Sequence, residues 1–326
     1  MIIRPRRNRK NENIRKLVRE TRLNIHDLVA PIFAVEGVGV KEEIGSLPEV
    51  FHYSVDELKK EAVELFDLGI RAVLLFGVPS SKDSVATSAY DDEGIVQRAI
   101  RGIKEACPEM IVITDVCMCQ YTDHGHCGIL NEDGSVLNDE TLEYLSRIAV
   151  SHAVAGADIV APSDMMDGRV GAIRASLDRS GYQEVNILSY AIKYASNLYG
   201  PFREAAHSAP SFGDRKAYQM DYHNKRDALR EIELDTLEGA DMLMVKPASM
   251  YLDILSSMKE VSDLPLVCYH VSGEYAMLYH GVTTGIVDER AIYEQMIAFK
   301  RAGADLIITY FSKYLAKNME AYHHEF

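Results

Sequence analysis

Eight short apolar runs, each about the length of a β-strand, recur along the chain of 326 residues. They cover residues 28–35, 71–76, 110–116, 158–161, 186–190, 242–245, 264–271 and 306–310. Between several of them apolar residues recur at three- and four-residue steps, as in 56–68, 139–155, 226–238 and 288–302, which predicts amphipathic helices. Alternating strands and helices predict a parallel sheet, and eight such units predict a (β/α)8 barrel. We assign residues 26–326 to one barrel domain and residues 1–25 to an N-terminal arm.

A repeated joint supports the barrel. The string Gly-Ala-Asp follows a helical segment and precedes an apolar run at residues 156–158, 239–241 and 303–305. Glycine just past a helix predicts a left-handed residue and a short turn into the next strand. A doubly wound open sheet is the alternative, but no Gly-x-Gly-x-x-Gly follows an early strand, which argues against dinucleotide binding.

The charge of the chain restricts its partners. A formal net charge of −14 opposes binding to nucleic acids or anionic membranes, because both surfaces are negative. One basic run, residues 4–10, is more typical of an arm that contacts an acidic neighbouring subunit. No apolar run reaches the ~18 residues of a membrane span, and none follows the basic run as in a signal peptide. Clustered, odd-numbered cysteines indicate a reducing compartment, so we expect a cytoplasmic protein.

Three cysteines follow the third apolar run, at Cys117, Cys119 and Cys127. Residues two apart on an extended backbone face the same way, so the first two sulfurs can meet while the loop returns the third. This pattern predicts a soft-metal site, with zinc as the first choice, rather than buried free thiols or a disulfide. Either His124 or His126 closes the site as a structural one, or water and substrate use the fourth position. The loop alone leaves both possibilities open.

Two lysines stand where apolar runs end. Lys246 follows the sixth run and Lys193 follows the fifth, so in a barrel both reach the active face. Burial lowers the pKa of an amine and frees it to attack a carbonyl, which indicates Schiff-base chemistry; a snorkelling or ion-paired side chain is the alternative for either lysine alone. Asp115 is a general acid/base candidate or a turn residue. Residues 194–223, rich in Gly, Pro and aromatics, predict a lid over the site.

With two amines across the barrel mouth from the cysteine loop, an open fourth metal position is more useful than a closed one. We therefore expect three thiolates with a water or substrate ligand, and His124 and His126 outside the metal's ligands.

Several long motifs resemble one family. They are Cys-x-Cys-x7-Cys after an Asp-bearing strand, and the strings at residues 189–203, 244–248 and 269–277. The chain resembles the 5-aminolevulinate dehydratases, or porphobilinogen synthases, from residue 4 to residue 310. The resemblance implies condensation of two molecules of 5-aminolevulinate to porphobilinogen with loss of water, an early step of tetrapyrrole (heme) biosynthesis.

The resemblance also implies roles for individual residues. Lys246 forms a Schiff base with the substrate bound first, and Lys193 with the second. The second substrate's carboxylate is held by Arg203, Arg215 and Gln219. The first one's carboxylate is held by Ser272 and Tyr310. Asp115 and Ser163 match polar groups of the family that assist proton transfer and positioning. Phe202 and Tyr269 match aromatic walls of the pocket.

Because all three cysteines are kept, the chain resembles the zinc-dependent branch, in which zinc is catalytic. A regulatory Mg²⁺ in part of the family points to Glu231, although residues 226–231 also fit a solvated helix face with i,i+4 pairs. The family implies a homo-octamer in which the N-terminal arm embraces a neighbour. Two other functions fit less well: a barrel aldolase with one Schiff-base lysine and a structural zinc, and a zinc-sensing or metal-storage protein, which needs neither lysines nor a lid.

Overall fold

The computed structural model describes residues 2–325, and their side chains up to residue 322. Ten strands form one sheet: β1 (Leu28–Val35), β2 (Lys41–Glu43), β3 (Phe51–Tyr53), β4 (Ala72–Val78), β5 (Ile111–Val116), β6 (Ile159–Pro162), β7 (Asn186–Lys193), β8 (Met242–Lys246), β9 (Leu266–His270) and β10 (Leu306–Thr309). Strand β1 and strands β4 to β10 are parallel and neighbour one another in chain order, and β10 pairs with β1. The predicted eight-stranded parallel barrel is confirmed.

The helices are α1 (Glu12–Leu17), α2 (Val55–Asp67), α3 (Ile95–Ala106), α4 (Asn138–Ala155), α5 (Arg169–Arg179), α6 (Gly200–Ala205), α7 (Arg226–Leu237), α8 (Leu252–Val261), α9 (Ser272–Thr283), α10 (Arg290–Ala302) and α11 (Ser312–Glu325). The longer ones cover the barrel from outside, so most strand residues are buried on both faces. Such strands read as continuous apolar runs rather than alternating ones, which explains why the sequence marks them clearly. None of the helices in residues 2–325 has the length and apolar character of a transmembrane span.

The Gly-Ala-Asp joints lie at the amino ends of the strands. Their glycines end helices with positive φ angles of 107°, 99° and 122°, at Gly156, Gly239 and Gly303, as predicted. Each joint aspartate then exchanges two hydrogen bonds with the start of a neighbouring strand. Asp241, for example, accepts from the Ile187 N–H through its carboxylate at 2.7 Å and donates its own N–H to the Ile187 carbonyl at 3.0 Å. This end of a barrel serves stability, and the opposite end carries the site.

Two segments depart from a minimal barrel. The N-terminal arm forms a 3₁₀ turn at Pro5–Arg9 and the short helix α1, and neither buries a residue. The lid, residues 194–223, leaves the end of β7 through a 3₁₀ turn at Asn197–Tyr199 and helix α6, in which Pro201 occupies the first turn. Proline suits that position because its missing N–H would have no partner there. The lid then returns over the carboxyl ends of the strands.

Candidate active site

A small cavity lies at the carboxyl ends of the strands, beneath the lid. Its volume is about 20 Å³, which holds roughly one water molecule, so the lid is closed. Its walls come from β5, β6, β7, β8 and the lid: Asp115, Cys119, Gln120, Ser163, Lys193, Tyr199, Phe202, Arg203, Arg215, Gln219 and Lys246. Larger clefts exist, such as one of about 680 Å³ beside α4 and α5, but that cleft contains none of these groups.

The two lysines are neighbours at this mouth. Lys193 and Lys246 pair in register as the last residues of β7 and β8, and both are buried. Burial, with the charge of Lys193, lowers the pKa of the Lys246 amine to about 7. A good fraction of Lys246 is therefore neutral and nucleophilic near neutral pH. Its amine lies 4.6 Å from the ring centre of Tyr269 and 5.0 Å from that of Phe202.

Hydrogen bonds fix the amine of Lys193 and the backbone that follows Lys246. The Lys193 amine donates to the Ser163 carbonyl at the end of β6. The segment after Lys246 is fixed by the buried carboxylate of Glu274, which accepts the N–H groups of Ser249 at 2.6 Å, Val271 at 2.8 Å and Ala248 at 3.3 Å. Because three backbone donors converge on one carboxylate, the turn after β8 is tied to the start of α9.

The three cysteines of the loop after β5 come together. Their sulfurs all lie within 4.8 Å of one another, and those of Cys117 and Cys119 are 3.4 Å apart. Sulfurs about 3.8 Å apart are what a tetrahedral zinc with ~2.3 Å bonds requires, so the donor set fits a soft metal ion. Hydrogen bonds from the other two thiols lower the pKa of Cys127 well below its usual value, which favours a thiolate. In the part of the chain whose side chains are described, no other such group is found.

The loop histidines contact the lid and each other. The ring nitrogens of His126 lie 3.1 Å from the Tyr218 hydroxyl and 3.1 Å from the Phe212 carbonyl oxygen. His124 Nδ1 accepts the His126 N–H at 3.1 Å. Neither histidine belongs to the close group of sulfurs. Together with Arg215, which donates to the Gly125 carbonyl at 2.8 Å, they tie the lid to the cysteine loop.

Asp115 is linked to the thiol cluster by a residue that the sequence analysis missed. Gln120 donates to the Asp115 carboxylate at 2.9 Å and accepts from the Cys119 thiol at 3.3 Å. Tyr199 was also missed, and its hydroxyl donates to the Tyr194 carbonyl at 2.7 Å. The only signal for either residue is its place inside a motif already assigned to the metal loop or the lid.

The lid brings a set of unused donors to the cavity. The Nε atoms of Arg203 and Arg215 and the Nε2 atom of Gln219 are buried without hydrogen-bond partners. Among the residues that the structure describes, no carboxylate forms an ion pair with either arginine. A buried donor without a partner is costly, and a ligand carboxylate would satisfy these three donors with hydrogen bonds, charge-assisted from the arginines.

Four of the predicted substrate- and magnesium-binding residues do not border the cavity. The Ser272 hydroxyl accepts the Phe202 N–H of the lid at 3.0 Å, and the hydroxyls of Tyr269 and Tyr310 lie 3.0 Å apart. Glu231 lies further away, on α7, in an outer cleft of about 330 Å³ with Asp227 and Asp235. Burial raises the pKa of Glu231 to about 7.

The fold and these groups define a (β/α)8 barrel enzyme whose active face directs two buried amines, a carboxylate and a thiol cluster at one closed pocket. Comparisons with known proteins make this class specific. The family model described as delta-aminolevulinic acid dehydratase matches residues 2–318. Relatives described by that name are 55% identical over 315 residues in Halalkalibacterium halodurans, covering 96% of each chain, and 56% identical over 311 residues in Methanothermobacter thermautotrophicus, covering 95% of each.

A solved structure agrees. The delta-aminolevulinic acid dehydratase (porphobilinogen synthase) of Toxoplasma gondii ME49, in complex with the reaction product porphobilinogen, superimposes with a TM-score of 0.95 at 45% identity. The match covers 97% of this chain and 91% of that one. The chain belongs to the delta-aminolevulinic acid dehydratase family, as its motifs predicted. Its reaction is that of the family, the formation of porphobilinogen from 5-aminolevulinate in heme biosynthesis.

Proposed function

We propose that Lys246 and Lys193 carry this reaction by each forming an imine with one molecule of 5-aminolevulinate. The observation that carries the proposal is their pairing in register as two buried amines in one cavity with Asp115. Each neutral amine attacks a substrate ketone, and loss of water gives the imine. The imine activates the adjacent carbon for bond formation between the two substrates.

The two substrates occupy different surroundings. The first binds at Lys246 between Tyr269 and Phe202, with its carboxylate on Ser272 and Tyr310 once the lid has moved from Ser272. The second binds at Lys193, where Arg203, Arg215 and Gln219 offer unused donors to its carboxylate. Asp115 moves protons, and its hydrogen bond to Gln120 fixes its orientation.

Substrate entry requires the lid to open. A cavity of about 20 Å³ is far smaller than the several hundred Å³ typical of ligand sites, roughly 300–1,000 Å³. Opening must break the contacts of the lid with His126, Gly125 and Ser272. The lid therefore excludes water when the site is closed and admits substrate when those contacts are released.

We further propose that Cys117, Cys119 and Cys127 hold a catalytic zinc with an open fourth position. When bound, zinc acts as a Lewis acid toward a substrate oxygen. Of the three cysteines that would hold it, Cys119 borders the cavity. Gln120 connects the cluster to Asp115.

Chelation tests the metal proposal. Removing the metal should abolish turnover while far-ultraviolet circular dichroism is retained, and added zinc should restore activity. Serine at all three cysteines should give the same folded, inactive protein. Collapse of the structure on chelation would instead support a structural metal and contradict the catalytic role.

The remaining elements of the proposal concern regulation and assembly. Glu231 would bind Mg²⁺ in its acidic cleft, largely through water. The N-terminal arm would embrace a neighbour in a homo-octamer; no residue of its 3₁₀ turn at Pro5–Arg9 or of α1 is buried in its own chain. The enzyme would act in the cytoplasm.

Borohydride trapping tests the central claim. Reduction in the presence of 5-aminolevulinate should add substrate mass to Lys246 and Lys193, and Lys246→Met or Lys193→Met should remove the respective adduct and porphobilinogen formation. Lys216→Met is the matched control, because this lid lysine is 73% exposed. Active protein with no adduct at either strand-end lysine would refute the proposal.

A further inference from the structure

Strand β7 contains one more residue than the stretch of β8 that it faces. Ser189 pairs with Leu243, whereas Ile192 pairs with Val245 and Lys193 with Lys246. Three steps along β7 thus match two steps along β8, which is a β-bulge. Successive side chains point to opposite faces of a sheet, so a shift of one residue exchanges the faces.

The bulge determines where the second amine points. Without it, Ile192 would stand beside Lys246, and Lys193 would point to the opposite face of the sheet. With it, the two lysines stand side by side on the same face, toward the cavity that both border. The pairing of the two amines therefore depends on a local irregularity in one strand.

A buried arginine holds this irregularity. Arg169, the first residue of α5, is 2% exposed, and its Nη2 donates to the Tyr190 carbonyl at 3.2 Å and to the Ser189 hydroxyl at 3.3 Å. Asp235 of α7 binds the same guanidinium at 3.0 Å and 3.4 Å. The Asp235 carboxylate also accepts a hydrogen bond from the Ser189 hydroxyl.

The same guanidinium also binds the loop after β6, which accepts a hydrogen bond from the Lys193 amine. Its Nη1 donates to the Met166 carbonyl at 3.2 Å, in the loop that begins after β6. That loop starts at Ser163, whose carbonyl accepts from the Lys193 amine. Met165 within it has a φ of 72°, a left-handed conformation that is strained in a residue with a side chain and persists only with outside support.

We propose that Arg169, held by Asp235, is a positioning residue that sets the bulge in β7 and the loop after β6, and so places the Lys193 amine beside Lys246. Neither Arg169 nor Asp235 borders the cavity, and both line the outer cleft that contains Glu231, so their effect on Lys193 passes through the strand and the loop. The inference rests on the proposed function, since it assigns the cause of the position of Lys193. Loss of the pair should impair the second imine more than the first.

The test compares three variants by borohydride trapping, with the adducts at the two lysines quantified separately. Arg169→Met/Asp235→Leu removes both charges and leaves no stranded ion. Arg169→Lys keeps the charge but loses the fork that spans strand and loop. Arg174→Met is the matched control, because Arg174 lies on the same helix and donates to the Val185 and Tyr182 carbonyls, before the amino end of β7.

In the folded double variant the adduct at Lys193 should fall about tenfold relative to that at Lys246, and kcat should fall about 100-fold, the size of effect that a 1 Å misplacement produces. Arg169→Lys should shift the ratio in the same direction, and Arg174→Met should leave it unchanged. If the double variant does not fold, Arg169→Lys decides. A merely structural role would reduce folded protein without changing the ratio of adducts.

The outcomes separate this inference from the proposed function. Wild-type protein that traps at both lysines, with a folded variant that keeps the wild-type ratio or loses both adducts equally, would overturn the role of Arg169 and leave the function standing. Active wild-type protein without an adduct at Lys193 would contradict the proposed role of Lys193 itself, and the inference with it.

Discussion

The pKa of the Lys246 amine is lowered because its strand ends inside a closed pocket rather than in solvent. Its amine is buried, and a second amine stands beside it. Both features disfavour the ammonium form. The lowered pKa of Lys246 therefore comes from the surroundings of its amine.

The pH dependence of imine formation follows from this amine. Because the pKa of Lys246 is lowered to about 7, the ammonium form prevails below that pH and cannot attack a carbonyl, whereas the neutral amine prevails above it. The rate of trapping at Lys246 in zinc-saturated enzyme should rise with pH through about 7 and then level off. Single-turnover trapping across pH 5.5–9, a window of about 3.5 units around that pKa, measures it.

A second variant tests the cause. The positive charge of Lys193 lowers the pKa of Lys246. Because Lys193→Met removes this charge, the midpoint of the trapping profile should move to higher pH. A midpoint that moves down, or a wild-type rate still rising steeply at pH 9, would contradict the assigned environment.

Arg203 allows a test of substrate recognition without loss of the fold. It is half-buried, and its Nε has no partner in the closed protein. Arg203→Gln should raise KM about 10- to 100-fold, because a charge-assisted bond to a carboxylate is worth about 1.5–3 kcal/mol. The exposed Arg226 gives the control, Arg226→Gln, with unchanged kinetics. An unchanged KM in Arg203→Gln would remove this residue from the carboxylate site.

At the scale of elements, the barrel is closed at its amino end by repeated pairs. The aspartates of the three Gly-Ala-Asp joints each accept a backbone N–H from a neighbouring strand, at 2.7 Å, 2.7 Å and 2.9 Å. The partners are Val112 on β5, Ile187 on β7 and Leu266 on β9. Three of the eight barrel strands are fixed in this way, at the end opposite the site.

Asp241→Ala tests this separation of stability from chemistry. The change leaves the Ile187 N–H without its carboxylate partner, which should lower the free energy of unfolding by about 1–3 kcal/mol. Both kcat and KM should stay at wild-type values. Denaturant unfolding and steady-state assays measure the two effects, with Asp263→Ala at an exposed turn as the control. A large loss of kcat in folded Asp241→Ala would show that the two ends are coupled.

The sequence predicted the strands well, because buried parallel strands are uninterrupted apolar runs with clear ends. The first predicted run coincides with β1, and the others differ from the observed strands by a few residues at most. It did not predict β3, or β2, whose residues Lys41–Glu43 are all exposed. The bulge in β7 was also missed, because it follows from pairing with β8 and from the distant Arg169, neither of which leaves a periodic pattern.

The sequence likewise reveals some residues of the candidate site and not others. Lysines and cysteines at strand ends are visible because polar or reactive residues interrupt apolar runs. Gln120 is not visible in this way, because a glutamine in a polar loop indicates no function until its contacts with Asp115 and Cys119 are known. The engagement of Ser272 by the closed lid likewise depends on tertiary contact.

For the whole molecule, the charge is divided between arm and body. Nine of the first 25 residues are basic and two are acidic, whereas the remainder holds 26 basic and 47 acidic residues. The arm also exposes large apolar side chains, with Ile2, Ile3 and Leu17 each at least 80% exposed. A basic, apolar arm beside an acidic body is complementary to a second copy of the same chain.

Removing the arm should therefore make the oligomer dissociate and leave imine formation at Lys246 intact. We expect the full chain to form a large oligomer by light scattering, and a variant lacking residues 2–19 to sediment as smaller species. Glutamate at Arg4, Arg6, Arg7 and Arg9 should weaken the assembly through charge alone, and raised salt should do so in the wild type, because salt screens exposed charges. Trapping at Lys246 should persist in the truncated chain, since every residue that surrounds this amine belongs to the same barrel and lid. A truncated chain of unchanged size would place the contacts between subunits elsewhere on the barrel.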